Sequence, residues 1–323
     1  MFKRFLSGSI LCLFFGIELS GQNISSLSYS SYSVIPHGFE VDGCIVGGLS
    51  AITYNNRNGL FYLVADKPPA RIFKADIKNA SVEIKFNGCL ILGPGLLTDS
   101  ELEGIAYNYS TGNLYVSDEQ KKGTRILELT NEATFIRIIE PVNQAFLPLS
   151  GHNSGIEGLT ISNDLNYIYY AFERPTKECF EQSLTQITKV DLTGTANYQT
   201  FYYQLHAVDN DKINTNGITD ILLISDTEVL VMERAYIPNQ GNVVRLYQVK
   251  LASGTSGANC DEQRVVPFES FLLYDFNDVK GFNIDNAEGM TFNADRSMLY
   301  IITDNNFSKK QETQLIALKV KWE

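Results

Sequence analysis

Histidine is scarce in this chain, with three residues among 323, at positions 37, 152 and 206. Tryptophan occurs once, as Trp322. No two cysteines stand at C-x-x-C spacing, so the ligands a zinc centre draws on are missing. There is no Gly-x-Ser-x-Gly elbow, which excludes a serine hydrolase of the α/β type. A glycine-rich phosphate loop is also absent. Basic residues are outnumbered, 26 against 37 acidic, for a net charge of −11. That balance repels nucleic acid and anionic lipid, so neither is expected as a partner. No long helix-period segment and no Pro/Ser-rich linker interrupts the chain. No apolar run reaches the roughly 20 residues of a membrane span.

The N-terminus has the order of an export leader. Lys3 and Arg4 precede an apolar stretch, Phe5 to Ile17, and small residues Ser20 and Gly21 offer a cleavage site. We read 1–21 as a signal peptide and 22–323 as one domain, exported to the periplasm or beyond the cell. Cys12 follows Leu11 inside the apolar run and belongs to the leader. Cys44, Cys89, Cys179 and Cys260 then remain, an even count that argues for disulfides in an oxidising compartment.

What the sequence does contain is a repeat. Five segments share one layout: 49–66, 102–119, 156–173, 216–233 and 287–304. Each opens with a short polar residue or Glu, usually followed by Gly. An alternating apolar run, a polar turn, and a second strand ending in Asp or Glu complete it. That is a β-hairpin. A third strand follows every hairpin, and a fourth is legible after the first four. The fifth unit runs out of chain, but the orphan strand 26–35 can complete it against 313–320. The expected fold is all-β: a propeller of five four-stranded blades closed by the N-terminal strand. The longest interval, before the fifth hairpin, leaves a sixth blade around 260–276 as the alternative. Cys44 and Cys89 flank the first unit, and Cys179 and Cys260 sit in inserts of adjacent units. The expected bridges are therefore Cys44–Cys89 and Cys179–Cys260.

The charges fall at one end of the hairpins. Ser50, Glu103, Glu157, Asn216 and Glu288 open the first strands; Asp66, Asp118, Glu173, Glu233 and Asp304 close the second. In a hairpin these two positions are neighbours, so all five pairs should converge on one mouth of the channel. So many carboxylates in one opening repel unless protonated or neutralised by a cation. All-oxygen ligands suit Ca²⁺, or alternatively Mg²⁺. The expected metal residues are Glu103, Asp118, Glu157, Glu233, Glu288 and Asp304. The competing reading is that these acids cap strand ends or pair with arginines such as Arg174 and Arg234.

The segments Asn153–Leu159 (NSGIEGL), Val231–Arg234 (VMER), Asn286–Met290 (NAEGM) and Asp304–Phe307 (DNNF) resemble the signatures of the bacterial phytase-like family, "esterase-like activity of phytase". The resemblance runs from about Gly47 to Leu318. It implies an exported propeller that hydrolyses esters or phosphoesters, and it marks Glu103, Glu157, Glu233, Glu288 and Asp304. Ser50 and Asn216 depart from the acidic pattern.

Two functions are carried forward. The first is a metal-assisted hydrolase of a small anionic ester, acting as a monomer. Glu157 or Glu288 would be its general base, and Arg174, Arg234 and the loop histidine His152 would bind substrate. The second is a non-catalytic propeller that binds a ligand or protein. His37 and His206 have no partner visible in the sequence.

Overall fold

The computed structural model describes residues 23–78, 82–93, 100–120, 123–139, 155–175, 179, 183–193, 197–208, 216–254 and 266–323. Residues 1–21, expected to be an export leader, His152 and Cys260 lie outside the described residues. Blade 1 comprises β4 (Leu49–Asn55), β5 (Leu60–Ala65), β6 (Arg71–Lys78) and β7 (Glu83–Ile91). Blade 2 holds β8 (Glu101–Tyr107), β9 (Leu114–Gln120), β10 (Gly123–Leu129) and β11 (Phe135–Ile139). Blade 3 holds β12 (Ile156–Ile161), β13 (Tyr167–Phe172), β14 (Leu184–Asp191) and β15 (Tyr198–Gln204). Blade 4 holds β16 (Gly217–Ser225), β17 (Glu228–Ile237), β18 (Gly241–Lys250) and β19 (Glu269–Asp275). Blade 5 holds β20 (Asn286–Phe292), β21 (Met298–Asp304) and β22 (Thr313–Trp322), completed by β1 (Ile24–Ile35). The fold is thus a five-bladed propeller. The segment that suggested a sixth blade supplies the outer strand of the fourth.

Closure follows the expected pairing of the N-terminal strand with the last strand. Ile35 stands opposite Thr313 and Leu27 opposite Val320, so the two ends of the chain share one sheet. Ring closure of this kind leaves no open edge between the last blade and the first. Trp322 fixes the end of the seam. Its indole N–H donates to the Arg296 carbonyl at 2.9 Å, and the Arg296 guanidinium lies 4.3 Å above its ring.

The second strands are apolar at successive positions because each blade is buried on both faces. Leu63 and Ala65 pack toward blade 5, with Tyr300 and Ile302, while Tyr62 and Val64 pack toward blade 2, with Leu102 and Val116. The same division recurs in blade 3. Ile168 and Tyr170 meet Ala106 and Tyr115 of blade 2, and Tyr169 and Ala171 meet Val229 and Val231 of blade 4. Burying each Leu, Ile or Val among them contributes roughly 1.5–3 kcal/mol. Those inter-blade layers are the core that holds the ring together.

The inner strands approach one another closely around the axis. A Cβ on Gly289 would stand 2.6 Å from the Cα of Ala51, and one on Gly158 would stand 2.6 Å from the Ile221 nitrogen. Only glycine permits that backbone approach. Hydrogen bonds latch the same joints: Ser50 Oγ donates to the Leu102 carbonyl, Leu223 N donates to Thr160 Oγ1, and Met290 N donates to Asp220 Oδ2.

A disulfide joins Cys44 to Cys89, as expected. It ties the short hairpin of β2 (Glu40–Val41) and β3 (Cys44–Ile45) to β7. Cys179 is also disulfide-bonded. Among the described residues no helix is long and apolar enough to cross a membrane.

Candidate functional site: an acidic cavity on the propeller axis

Every inner strand carries the same irregularity at its start. The register slips between Leu49 and Ala51, Leu102 and Ile105, Ile156 and Gly158, Ile218 and Asp220, and Ala287 and Gly289. A β-bulge re-aims the extra side chain out of the ladder. The residues re-aimed are Ser50, Glu103, Glu157, Thr219 and Glu288, and all five line a single cavity of about 320 Å³. The second strands contribute Asp66, Glu119, Glu173, Arg234 and Asp304 to the same cavity. Glu101, paired across the ladder with Glu119, brings the carboxylates to eight.

This arrangement corrects two sequence expectations by one residue each. Asp118 does not face the cavity: it is fully buried and bound by Arg125 Nε at 2.6 Å and Gln120 Nε2 at 3.1 Å. Glu233 is likewise turned away, toward blade 3. Side chains on a strand alternate faces, so the next residues, Glu119 and Arg234, take the axial positions. Asn216 is displaced too. It stands three residues before the bulge and donates to Glu233 Oε2 at 2.5 Å, and Thr219 fills its place on the axis. Blade 4 therefore offers a threonine and an arginine where its neighbours offer acids.

Glu103, Glu157, Glu288 and Asp304 lie where expected. Burial pushes the carboxyl of Glu103 well above the usual range, and Asp66, Glu288 and Glu119 add repulsion. Glu157 is raised well above that range as well, by burial first and then by Glu103 and Glu173. Glu288 rises to about 7 through burial, held down in part by Arg234. Asp304 also reaches about 7, again through burial, with Asp66 repelling it and the Asn306 amide restraining it.

Three cations answer eight acids. Arg234 pairs with Glu288 Oε1, which also accepts from Asn286 Nδ2 at 2.7 Å. Arg174 Nε lies 3.3 Å from Glu173, and Lys67 Nζ lies 2.6 Å from Asp66. Both arginines stand at the rim. With Asn286 they also line an adjoining groove of about 1230 Å³ between blades 4 and 5, which carries Lys280 and Lys310. The donor set is carboxylate oxygen alone, which fits a hard divalent cation. Among the described residues, though, no three His, Cys, Asp or Glu side chains form a ready metal cage. Binding such an ion would need the acids to turn inward together.

Sequence reasoning missed Glu119, Glu101, Lys67 and Thr219. The constant separation of 16 between the bulged residue and the closing acid, as in Glu103 to Glu119 and Glu157 to Glu173, was the signal that could have found Glu119. It also missed the environment of His206, whose Nδ1 lies 2.7 Å from Glu233.

The family model of the phytase-like family, described as esterase-like activity of phytase, matches residues 45–307. No curated protein matches the chain. The endo-arabinase of Bacteroides thetaiotaomicron is similar in fold at a TM-score of 0.50 and 13% identity, over 89% of this chain and 96% of that one. The periplasmic gluconolactonase of Pseudomonas aeruginosa aligns over 91% of this chain and 95% of its own, at 11% identity and a TM-score of 0.40.

Proposed function

The chain belongs to the phytase-like family, and we propose that its axial cavity is the site of a metal-assisted hydrolysis of phosphate or carboxylate esters in an exported protein. The observation that carries this reading is the convergence of eight carboxylates, four of them with raised pKa values, in one cavity. Glu103, Glu157 and Asp304 would hold a calcium ion, or magnesium in its place. When bound, the ion supplies Lewis-acid stabilisation of charge on the substrate oxygens. Glu288 is the base: its pKa near 7 matches general-base work at neutral pH, and Arg234 and Asn286 fix it through Oε1. Arg174 and Arg234, at the rim, suit a small anionic ester arriving through the groove that Lys280 and Lys310 line. The leader and the disulfide support a periplasmic or extracellular place of action.

The test is hydrolysis of p-nitrophenyl phosphate by the mature chain. Activity should vanish in EDTA, return with calcium, and fall at least about 100-fold in Glu288→Gln. Calcium at about 100 times its Kd should also add roughly 2.7 kcal/mol of stability. Identical melting curves in calcium and EDTA, with no turnover, would leave a propeller that binds its ligand without transforming it.

A further inference from the structure

Glu233, His206 and Ser270 come from three separate segments and meet where blade 3 packs against blade 4. His206 follows β15, Glu233 lies on β17, and Ser270 lies on β19, the outer strand of blade 4. The imidazole Nδ1 stands 2.7 Å from Glu233 Oε1, and Nε2 stands 3.0 Å from Ser270 Oγ. The ring is held flat on Tyr247, with centroids 3.7 Å apart and an interplanar angle of 4°. Glu233 is itself fixed: Tyr203 donates its hydroxyl at 2.6 Å, Asn216 its amide at 2.5 Å and the His206 backbone its N–H at 3.3 Å.

One arrangement of protons satisfies these contacts with a neutral imidazole. A carboxylate only accepts, so Nδ1 carries the imidazole hydrogen and donates it to Glu233. Nε2 is then the lone pair, and the Ser270 hydroxyl donates to it. A hydroxyl on a neutral imidazole, with the imidazole oriented by a buried carboxylate, is the arrangement that activates serine as a nucleophile. Glu233 is 2% exposed, whereas the His206 side chain is 29% exposed and Ser270 is half-buried. The orienting acid is therefore dry and the reacting pair is reachable.

We propose that this junction is a second hydrolytic centre, a serine–histidine–glutamate site for uncharged carboxylic esters with a short apolar acyl group. Leu272 lies on the same face of β19 as Ser270, opposite Tyr247, and is 56% exposed. It offers the acyl chain an apolar contact beside the nucleophile. In the first half-reaction Ser270 Oγ bonds to the acyl carbon and its proton passes to Nε2. The ester C–O bond then breaks, and that proton leaves with the alcohol. Water next adds to the acyl carbon and gives a proton to Nε2. The bond to Oγ breaks, the proton returns to Oγ, and the carboxylic acid departs. Glu233 acts as a positioning residue throughout.

The experiment uses the mature chain in EDTA, which separates this centre from any metal-dependent one. A fluorophosphonate probe should label Ser270, identified by peptide mass spectrometry, and Ser270→Ala should abolish the label. Hydrolysis of p-nitrophenyl butyrate should fall at least about 100-fold in Ser270→Ala and in His206→Gln. Glu233→Gln should lower kcat with little change in KM. Ser270→Ala, on an outer strand, should melt like the wild type. A wild-type chain that takes no label, or a Ser270→Ala variant that hydrolyses the ester at the wild-type rate, would overturn the proposal whatever the axial cavity does.

Discussion

Glu233 and Glu288 sit at the same end of neighbouring blades, and their surroundings are opposite in kind. Glu233 is one carboxylate among donors: a phenol, an amide, an imidazole and a backbone N–H. Glu288 has Arg234 and Asn286 on one oxygen and faces seven other acids across the cavity. Donors surround the first acid, whereas burial among other acids raises the second to about 7. The hairpin of blade 4 contributes to both surroundings. The sequential neighbours Glu233 and Arg234 are sent to different sites by the strand's alternation. An acid's role here is set by which face of the blade it occupies.

Substitutions should therefore have opposite signs in the two places. Glu233→Ala leaves several buried donors without a partner and should destabilise by about 3–5 kcal/mol, read as a lower midpoint in urea. Equal midpoints for this variant and the wild type would show the Glu233 network to be idle. Glu157→Gln in the axial cavity removes a repelled carboxylate instead. In chelator at pH 8 it should stabilise by about 1–2 kcal/mol, roughly 2–4 °C per kcal/mol in melting temperature.

The pH dependence sharpens the contrast. Glu288 and Asp304, both at about 7, keep protons in the folded state that the unfolded chain gives up near 4–5. Their contribution is complete below the unfolded pKa and is lost as pH rises through about 7. In chelator, the melting temperature should be highest near pH 5 and decline toward pH 8. The expected loss is on the order of 2 kcal/mol for each such group. Glu288→Gln should flatten the curve. A profile that rises over that range would mean the cavity acids are neutralised by other means.

The smallest effect is the control for both. Glu132 pairs with Lys74 on the surface, with its side chain 64% exposed. Glu132→Gln should change the melting midpoint by no more than about 0.5 kcal/mol and should not alter any response to calcium or pH.

The sequence by itself determined the ring. Hairpin periodicity is local, so five apolar–turn–apolar units can be counted without knowing what they touch. The orphan strand 26–35 and the unfinished fifth unit likewise announce each other. It also placed Glu103, Glu157, Glu288 and Asp304 on the axis, because a strand end repeated at constant spacing maps to one end of every blade. Tertiary structure alone decided which face each closing residue takes. The bulges at Ser50, Glu103, Glu157, Thr219 and Glu288 shift the register by a single position, and one position inverts a strand's two faces. On the second strands of blades 2 and 4, neighbouring residues point to opposite faces, and the packed blades put Glu119 and Arg234, not Asp118 and Glu233, toward the axis. The meeting of His206, Glu233 and Ser270 was equally illegible. They lie on separate strands and loops, and only the packing of blade 3 on blade 4 brings an imidazole between an acid and a hydroxyl.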